Sequence, residues 1–328
     1  MANIRIFRHF VAASLAMGSI PAASAQQPLP VEPGTAWMHA HSGIAIPATL
    51  GELARMRATS FAEPQLDISQ NFGSSDGQQQ LTIYIFRNTN GSVPLWFAQA
   101  QRAISLREDL RNPALAIPPV AFTPPGRAAG SGLKAVFAPT GVEGIRSTGV
   151  ALFAVGDWYV KLRATSATLS ASELSDWIET VLAGITLPRT APAPPAAMQP
   201  IAGCDAPLTF APEATDSALA PAALTIGVQA PAARMKPERW CLDSVVSGNR
   251  AVYRPDGTRD RYLLATGDNG KALAVQPQAP GGYYSVNFVT AARTFRLVAQ
   301  DRLPSPQRAL ALVDGERSVG ATSTWPPR

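Results

Sequence analysis

Ile145–Leu187, IRSTGVALFAVGDWYVKLRATSATLSASELSDWIETVLAGITL, decides how the first half of this chain is built. Val150–Val155 is almost wholly apolar, the pattern of a strand covered on both faces. Gly156 and Asp157 supply a turn, and a second strand follows. Its Trp158, Val160, Leu162 and Ala164 alternate with Tyr159, Lys161, Arg163 and Thr165. A period of two places the first set on a buried side and Lys161 and Arg163 on a wetter one. Ser170 and Glu173 have the spacing of a capping box, in which each side chain satisfies a backbone N–H at a helix start. The helix beyond them carries Leu174, Trp177, Ile178, Val181, Leu182 and Ile185 on one broad stripe. Gly184 weakens its last turn and Pro188 stops it.

Upstream, the same reading gives a short strand-like run over Trp37–His41, a segment over Leu50–Phe61 that fits strand or helix and whose alternation favours strand, and strands over Leu66–Phe72 and Gln80–Arg87, the last of them the clearest alternation in the chain. Ile44–Ile46 leads into the second of these. Pro94 sits where a first helical turn tolerates it, and Leu95–Leu110 reads as a helix with Phe97, Ala100, Ile104 and Leu110 inward. Asn112–Gly132, rich in Pro and Gly, reads as a long surface loop, and Leu133–Pro139 as a short strand. The order is three strands, helix, three strands, helix, which predicts an antiparallel sheet covered by helices. With Trp158–Arg163 as a strand bearing a basic pair and leading into the terminal helix from Ser170, residues 36–188 resemble the Mog1/PsbP-like α/β sandwich. That resemblance implies a binding or accessory role; no functional residue is carried over by it.

Residues 1–25 have the layout of a signal peptide: basic Arg5, Arg8 and His9, an apolar run over Phe10–Ile20, and the small-residue site Ala23-Ser-Ala25. Cleavage after Ala25 predicts a periplasmic or secreted protein beginning at Gln26, with no membrane-spanning segment remaining. It removes two cations and no acid, so the formal net charge falls from +5 to +3. No Lys/Arg run is interleaved with aromatic residues, which argues against nucleic acid as a partner. Residues 26–35 read as a Pro-rich, extended and mobile leader. Residues 189–200, with four prolines, read as a semi-rigid linker. Residues 201–328 then form a second, smaller, mainly β domain: six strand-like runs between Trp240 and Gln300, separated by turns at Pro255–Gly257, Gly267–Gly270 and Gly281–Gly282, suggest a sandwich or barrel. Arg308–Val313 reads as a last strand or short helix, and the C-terminal tail as loose. The fold class expected is therefore α+β in two domains.

Cys204 and Cys241 are the only two cysteines, and in an oxidising compartment they are expected to form a disulfide. Gly73–Gly77 spells G-x-S-x-G, but the elbow motif requires a strand-to-helix turn and a histidine after the serine. Here a strand follows, and both His39 and His41 precede it, so the segment reads as a turn. Ser131–Lys134 spells S-x-x-K in a Gly-rich loop without its companion motifs, and reads as chance. His39 and His41, at i and i+2 on a strand, point the same way and are the candidate metal pair, with Glu52, Glu63 or Asp67 as the third ligand they would need. No phosphate loop or dinucleotide fingerprint is present, and no cofactor is expected.

These observations predict an exported envelope protein with an accessory or binding role and no catalytic residue. Its partner would be another envelope protein or a small ligand, met by the face carrying Lys161 and Arg163 or by a groove between the domains. The competing expectation is a hydrolase of envelope polymers working through carboxylates or a histidine-bound metal.

Overall fold

The computed structural model describes residues 26–189, 197–218, 235, 239–278 and 281–325; the signal peptide expected over 1–25 lies outside them, as does most of the linker expected over 189–200. The first half runs β1 (Gln27–Pro28), β2 (Trp37–Met38), β3 (Ala45–Ile46), β4 (Thr49–Leu50), β5 (Leu53–Ala62), β6 (Asp67–Gly73), β7 (Gln79–Arg87) and α1 (Val93–Ser105). A turn of 3-10 helix (Glu108–Leu110) follows, then β8 (Ala114–Phe122), β9 (Gly132–Ala138), β10 (Ser147–Val155), β11 (Trp158–Ser166) and α2 (Ala171–Leu182). The strands form an antiparallel sheet in the order β1-β5-β6-β7-β11-β10-β9-β8, with β4 also on β5. The small pair β2–β3 stands apart from it.

The two helices cover opposite faces. Leu174, Ile178 and Leu182 of α2 pack with Ile83, Ile85, Ala151 and Leu162 on one side. Trp96, Phe97, Ala100 and Ile104 of α1 pack with Leu133, Ala135, Val150 and Leu152 on the other. A helix on each side is the reason Val150–Leu152 of β10 is apolar without alternation. The Ser170–Glu173 capping box is formed reciprocally, and Ser92 caps α1 with proline in its first turn.

The second half comprises β12 (Ala202–Gly203), β13 (Trp240–Ser247), β14 (Arg250–Pro255), β15 (Tyr262–Ala265), β16 (Ala272–Gln278), β17 (Tyr283–Val289), β18 (Arg293–Leu297), α3 (Pro306–Asp314) and β19 (Ser318–Ser323). They make a single eight-stranded sheet in chain order, a meander in which only β12 is parallel to its neighbour. The six expected strands are all present, but as one sheet. One of its faces is closed by Ala309 and Leu312 of α3 and by Leu208. The opposite face contributes Ala251, Tyr253, Leu263, Ala265, Ala272 and Ala274 to the same apolar cluster as α1 and β10. Among the described residues the protein is thus mainly β, with three α-helices and, besides the small β2–β3 pair, two large sheets that share an apolar layer.

Several expectations are corrected. Residues 114–122 of the expected 112–132 loop form β8, an edge strand; Pro118 and Pro119 cannot donate to a ladder, and register shifts between Leu115 and Val120 accommodate them. The leader is placed, since Gln27 and Pro28 pair with Ser60 and Thr59 and Leu29 is buried. The expected 95–110 helix ends at Ser105. Arg308–Val313, expected as a last strand or a short helix, lies in the helix α3. The tail carries Trp325, packed against the first half at His41 and Trp158.

Candidate functional site

Lys161 and Arg163 occupy the face of β11 opposite Trp158, Val160 and Leu162, as the alternation requires, but that face is not wet. Lys161 is 1% exposed. The turn between β15 and β16 covers it: Lys161 Nζ donates to the Asp268 carbonyl at 2.9 Å and pairs with Asp268 Oδ2 at 2.8 Å. Arg163 Nη2 meets the same carboxylate oxygen at 2.7 Å. The ammonium also lies 4.4 Å from the centroid of the Tyr84 ring. Burial pushes the Lys161 ammonium below the ordinary lysine range, against the pull of Asp268. Burial opposes the Asp268 charge too, yet Lys161 and Arg163 outweigh it and hold that carboxyl below its ordinary value. The neighbouring Asn269 donates to Asp67 Oδ2 on β6 at 2.9 Å. The basic pair is therefore engaged within the chain by partners more than a hundred residues away. The same junction is reinforced at α1, where Gln99 Nε2 donates to the carbonyls of Asn249 and Gly267 and Gln99 Oε1 accepts from Tyr253.

His39 and His41 sit past the end of β2 in a turn rather than within a strand. Each holds the segment around Pro64. His39 Nε2 donates to the Gln65 carbonyl at 2.9 Å, which leaves Nδ1 of the neutral ring to accept from the Ser42 hydroxyl at 2.7 Å. His41 Nε2 donates to the Pro64 carbonyl at 2.6 Å. The rings lie against Trp158, and Trp325 closes on His41 at 4.4 Å. Burial first, and the nearby His41 as well, push His39 down to about 4, although its bond to Gln65 works the other way. Both ring nitrogens of His39 are thus taken, and Asp67, one of the expected third ligands, faces Asn269 instead. Among the described residues no three His, Cys, Asp or Glu side chains are grouped as a metal site. The arrangement locks a turn; it does not offer a ligand set.

The two motif-like segments also resolve. Gly73–Gly77 belongs to the β6–β7 hairpin, with Ser74 Oγ bonded to Asp76 and the Gly77 amide to the Ser74 carbonyl. Lys134 of the S-x-x-K match points to α2, where it bonds the Ser175 carbonyl and pairs with Glu179 at 2.5 Å. Cys204 and Cys241 form the expected disulfide. It draws the start of the second half onto β13, beside the fully buried Arg254, which donates to Asp205 and Asp243. A disulfide and the absence, among the described residues, of any helix long and apolar enough to cross a membrane both accord with an extracytoplasmic setting.

The feature missed in the sequence is a groove of about 270 Å³ along the outer edge of β5. It is lined by Leu29 and Val31–Gly34, with Glu32 among them, by Ala48 and Thr49, and by Ala54–Ala58. Arg55 frames it: Nη1 donates to the Thr35 carbonyl, Nη2 to those of Ile46 and Pro47, and Nε to Gln70 Oε1. β4 pairs with Leu53 and Ala54, and β1 with Thr59 and Ser60. Between them Met56 and Arg57 have no strand partner on the outer side among the described residues. On the inner side the β5–β6 register shifts at Met56, whose side chain is 74% exposed. A register shift of this kind re-aims a side chain away from the ladder. Sequence could not reveal the groove, because its walls come from three segments that are unremarkable one at a time.

No family model, no curated protein and no solved structure matches this chain.

Proposed function

We propose that this chain is an exported accessory protein that holds an extended segment of another envelope protein along the outer edge of β5, and that it catalyses no reaction. The observation that carries this reading is the interrupted edge at Met56–Arg57, open inside an otherwise walled groove. A strand edge without a partner presents backbone groups that an extended peptide can pair with, and flanking pockets select its side chains. The floor and walls are mainly apolar, with Leu29, Val31, Ala54 and Ala58 among them. Arg57 is exposed, bonded through Nε to Thr59 Oγ1, and in no ion pair among the described residues. The segment that fits carries an apolar side chain for the groove and a carboxylate for Arg57.

The disulfide and the N-terminal sequence support export, to the periplasm or medium. The strand–turn–strand–helix ending at Leu182 supports the likeness to the Mog1/PsbP-like sandwich and the accessory role it implies. Lys161 and Arg163 have no part in the proposed contact.

Fluorescence polarisation with extended decapeptides that alternate apolar residues, with and without one Asp or Glu, tests the reading. Saturable binding of the acidic peptides is expected, weakened at least tenfold by Arg57→Glu and by added salt. Equal binding of acidic and neutral peptides by wild type and Arg57→Glu, or binding of none, would overturn it. A small molecule that raises the melting temperature through the same groove, with no peptide bound, would replace the peptide as occupant.

A further inference from the structure

Asp67 is the most deeply placed acid of the junction between the two sheets, 2% exposed, and it is not part of the β5 groove. Its carboxylate accepts from Asn269 at 2.9 Å. The charged groups that bear on it come from two elements: Lys161 on β11, and Asp268 and Lys271 flanking Asn269 in the β15–β16 turn. From β7, Tyr84 is the titratable neighbour, and Phe86 is its register partner; from β5 the partner is Ala62, which carries no charge. The turn itself is closely seated, since a Cβ on Gly270 would come within 3.1 Å of the Arg87 carbonyl. It brings one carboxylate, Asp268, to two cations, Lys161 and Arg163. The charge of the closed cluster therefore depends on whether Asp67 is ionised.

We propose that the Gly267–Gly270 turn is a proton-linked latch between the two sheets, seated more tightly when Asp67 is protonated. The reason is burial. A carboxyl enclosed by β6, β11 and the turn is disfavoured as an anion while the turn is in place, and returns to water when the turn lifts. Burial raises Asp67 to about 6, and Lys161 and the Asn269 bond only partly offset it. A carboxyl raised in the closed state means that the closed state holds the extra proton. Opening is then hardest at low pH, grows easier by about tenfold per pH unit between roughly 4 and 6, and levels off above 6. Openings of this kind are local and need not unfold either sheet.

The test is solvent exchange of the Asn269 carboxamide protons in the full chain, corrected for intrinsic rate, from pH 4.5 to 7. It is read beside the Asp67 carboxyl carbon shift. The wild type is expected to show Asp67 titrating near 6 and an opening constant that rises at least tenfold across the range. In Asp67→Asn the opening constant is expected to be flat, and in Asn269→Ala, followed by the Asp67 carbon alone, the titration should persist. A wild-type opening constant that is flat or falls with pH would overturn the latch, as would an Asp67 titrating near its ordinary value. Should Asp67→Asn fail to fold, the wild-type profile alone decides. The peptide experiment on the β5 groove is independent of this one.

Discussion

At the scale of single residues, two buried groups set opposite pH dependences. His39 is held down to about 4 in the folded chain against an ordinary value of 6.5. Between those values the unfolded chain binds the proton and the folded chain does not. Its contribution is therefore complete above pH 6.5 and is lost as pH falls toward 4, by up to about 1.4 kcal/mol per unit. Asp67 runs the other way: raised from 3.8 to about 6, it contributes most below 3.8 and loses that contribution as pH rises through 6. In the overlap from about 4 to 6 the two slopes oppose each other. Urea titrations across that range are expected to show a shallow dependence for wild type. Asp67→Asn should expose the His39 slope, with stability falling steeply on acidification; an unchanged profile would show that Asp67 titrates at its ordinary value. His39→Ala removes the ring that bonds Gln65 and Ser42, and is expected to destabilise the fold by about 2–4 kcal/mol at neutral pH.

Elements show how local chemistry and surroundings divide the work. The α2 start is specified locally: Ser170 and Glu173 cap it wherever it packs. Ser170→Ala should cost about 1 kcal/mol in chemical denaturation, because the Glu173 amide loses the Ser170 hydroxyl, while the bond from the residue-170 amide to the Glu173 carboxylate remains. β8 is the contrary case. Its Pro118-Pro119 pair argues against a strand in isolation, yet the outer edge of a sheet needs no donor from them. The Cys204–Cys241 bridge closes a separation of 37 residues beside Arg254 and its partners Asp205 and Asp243. Loop closure of that length corresponds to about 4 kcal/mol on the chain-entropy view. Reduction is expected to lower stability by about that amount; a much smaller loss would mean that the Arg254 network holds the segment unaided.

Across the whole molecule, the two sheets are joined by more than chain connectivity. α1 and β10 share an apolar cluster with β14, β15 and β16. Gln99 joins three groups of the second half to α1, and Arg87 Nη1 donates to the Thr324 carbonyl while Trp325 packs over its guanidinium at 5.0 Å. Apolar contact of this extent couples the halves, so thermal unfolding is expected to be one transition, coincident for probes in each sheet. Gln99→Leu leaves two partly buried carbonyls and the buried Tyr253 hydroxyl without their partner. It should destabilise by about 2–4 kcal/mol and move both probes together. Separate transitions would show that the shared layer adds little coupling.

What short-range physics controls was legible in the order of residues. The hairpin of β10 and β11, the capped α2, the strands of the second half and the cysteine pair all follow from alternation, turn residues, capping spacing and a count of two thiols. What covers each face was not legible there, because it depends on contacts between distant segments. Alternation places Tyr159, Lys161 and Arg163 on one side of β11, and a row with two cations reads as wet. Its actual cover is an Asp-Asn turn from a distant strand pair, and no periodicity carries that partner. His39 and His41 read as a pair for an ion because spacing describes direction and not the carbonyls that await them at Pro64 and Gln65. The β5 groove and the latch at Asp67 belong to the same class. The groove is assembled from three neighbouring segments within residues 29–58, whereas the latch joins residues 202 apart and depends on how two sheets close on one apolar layer.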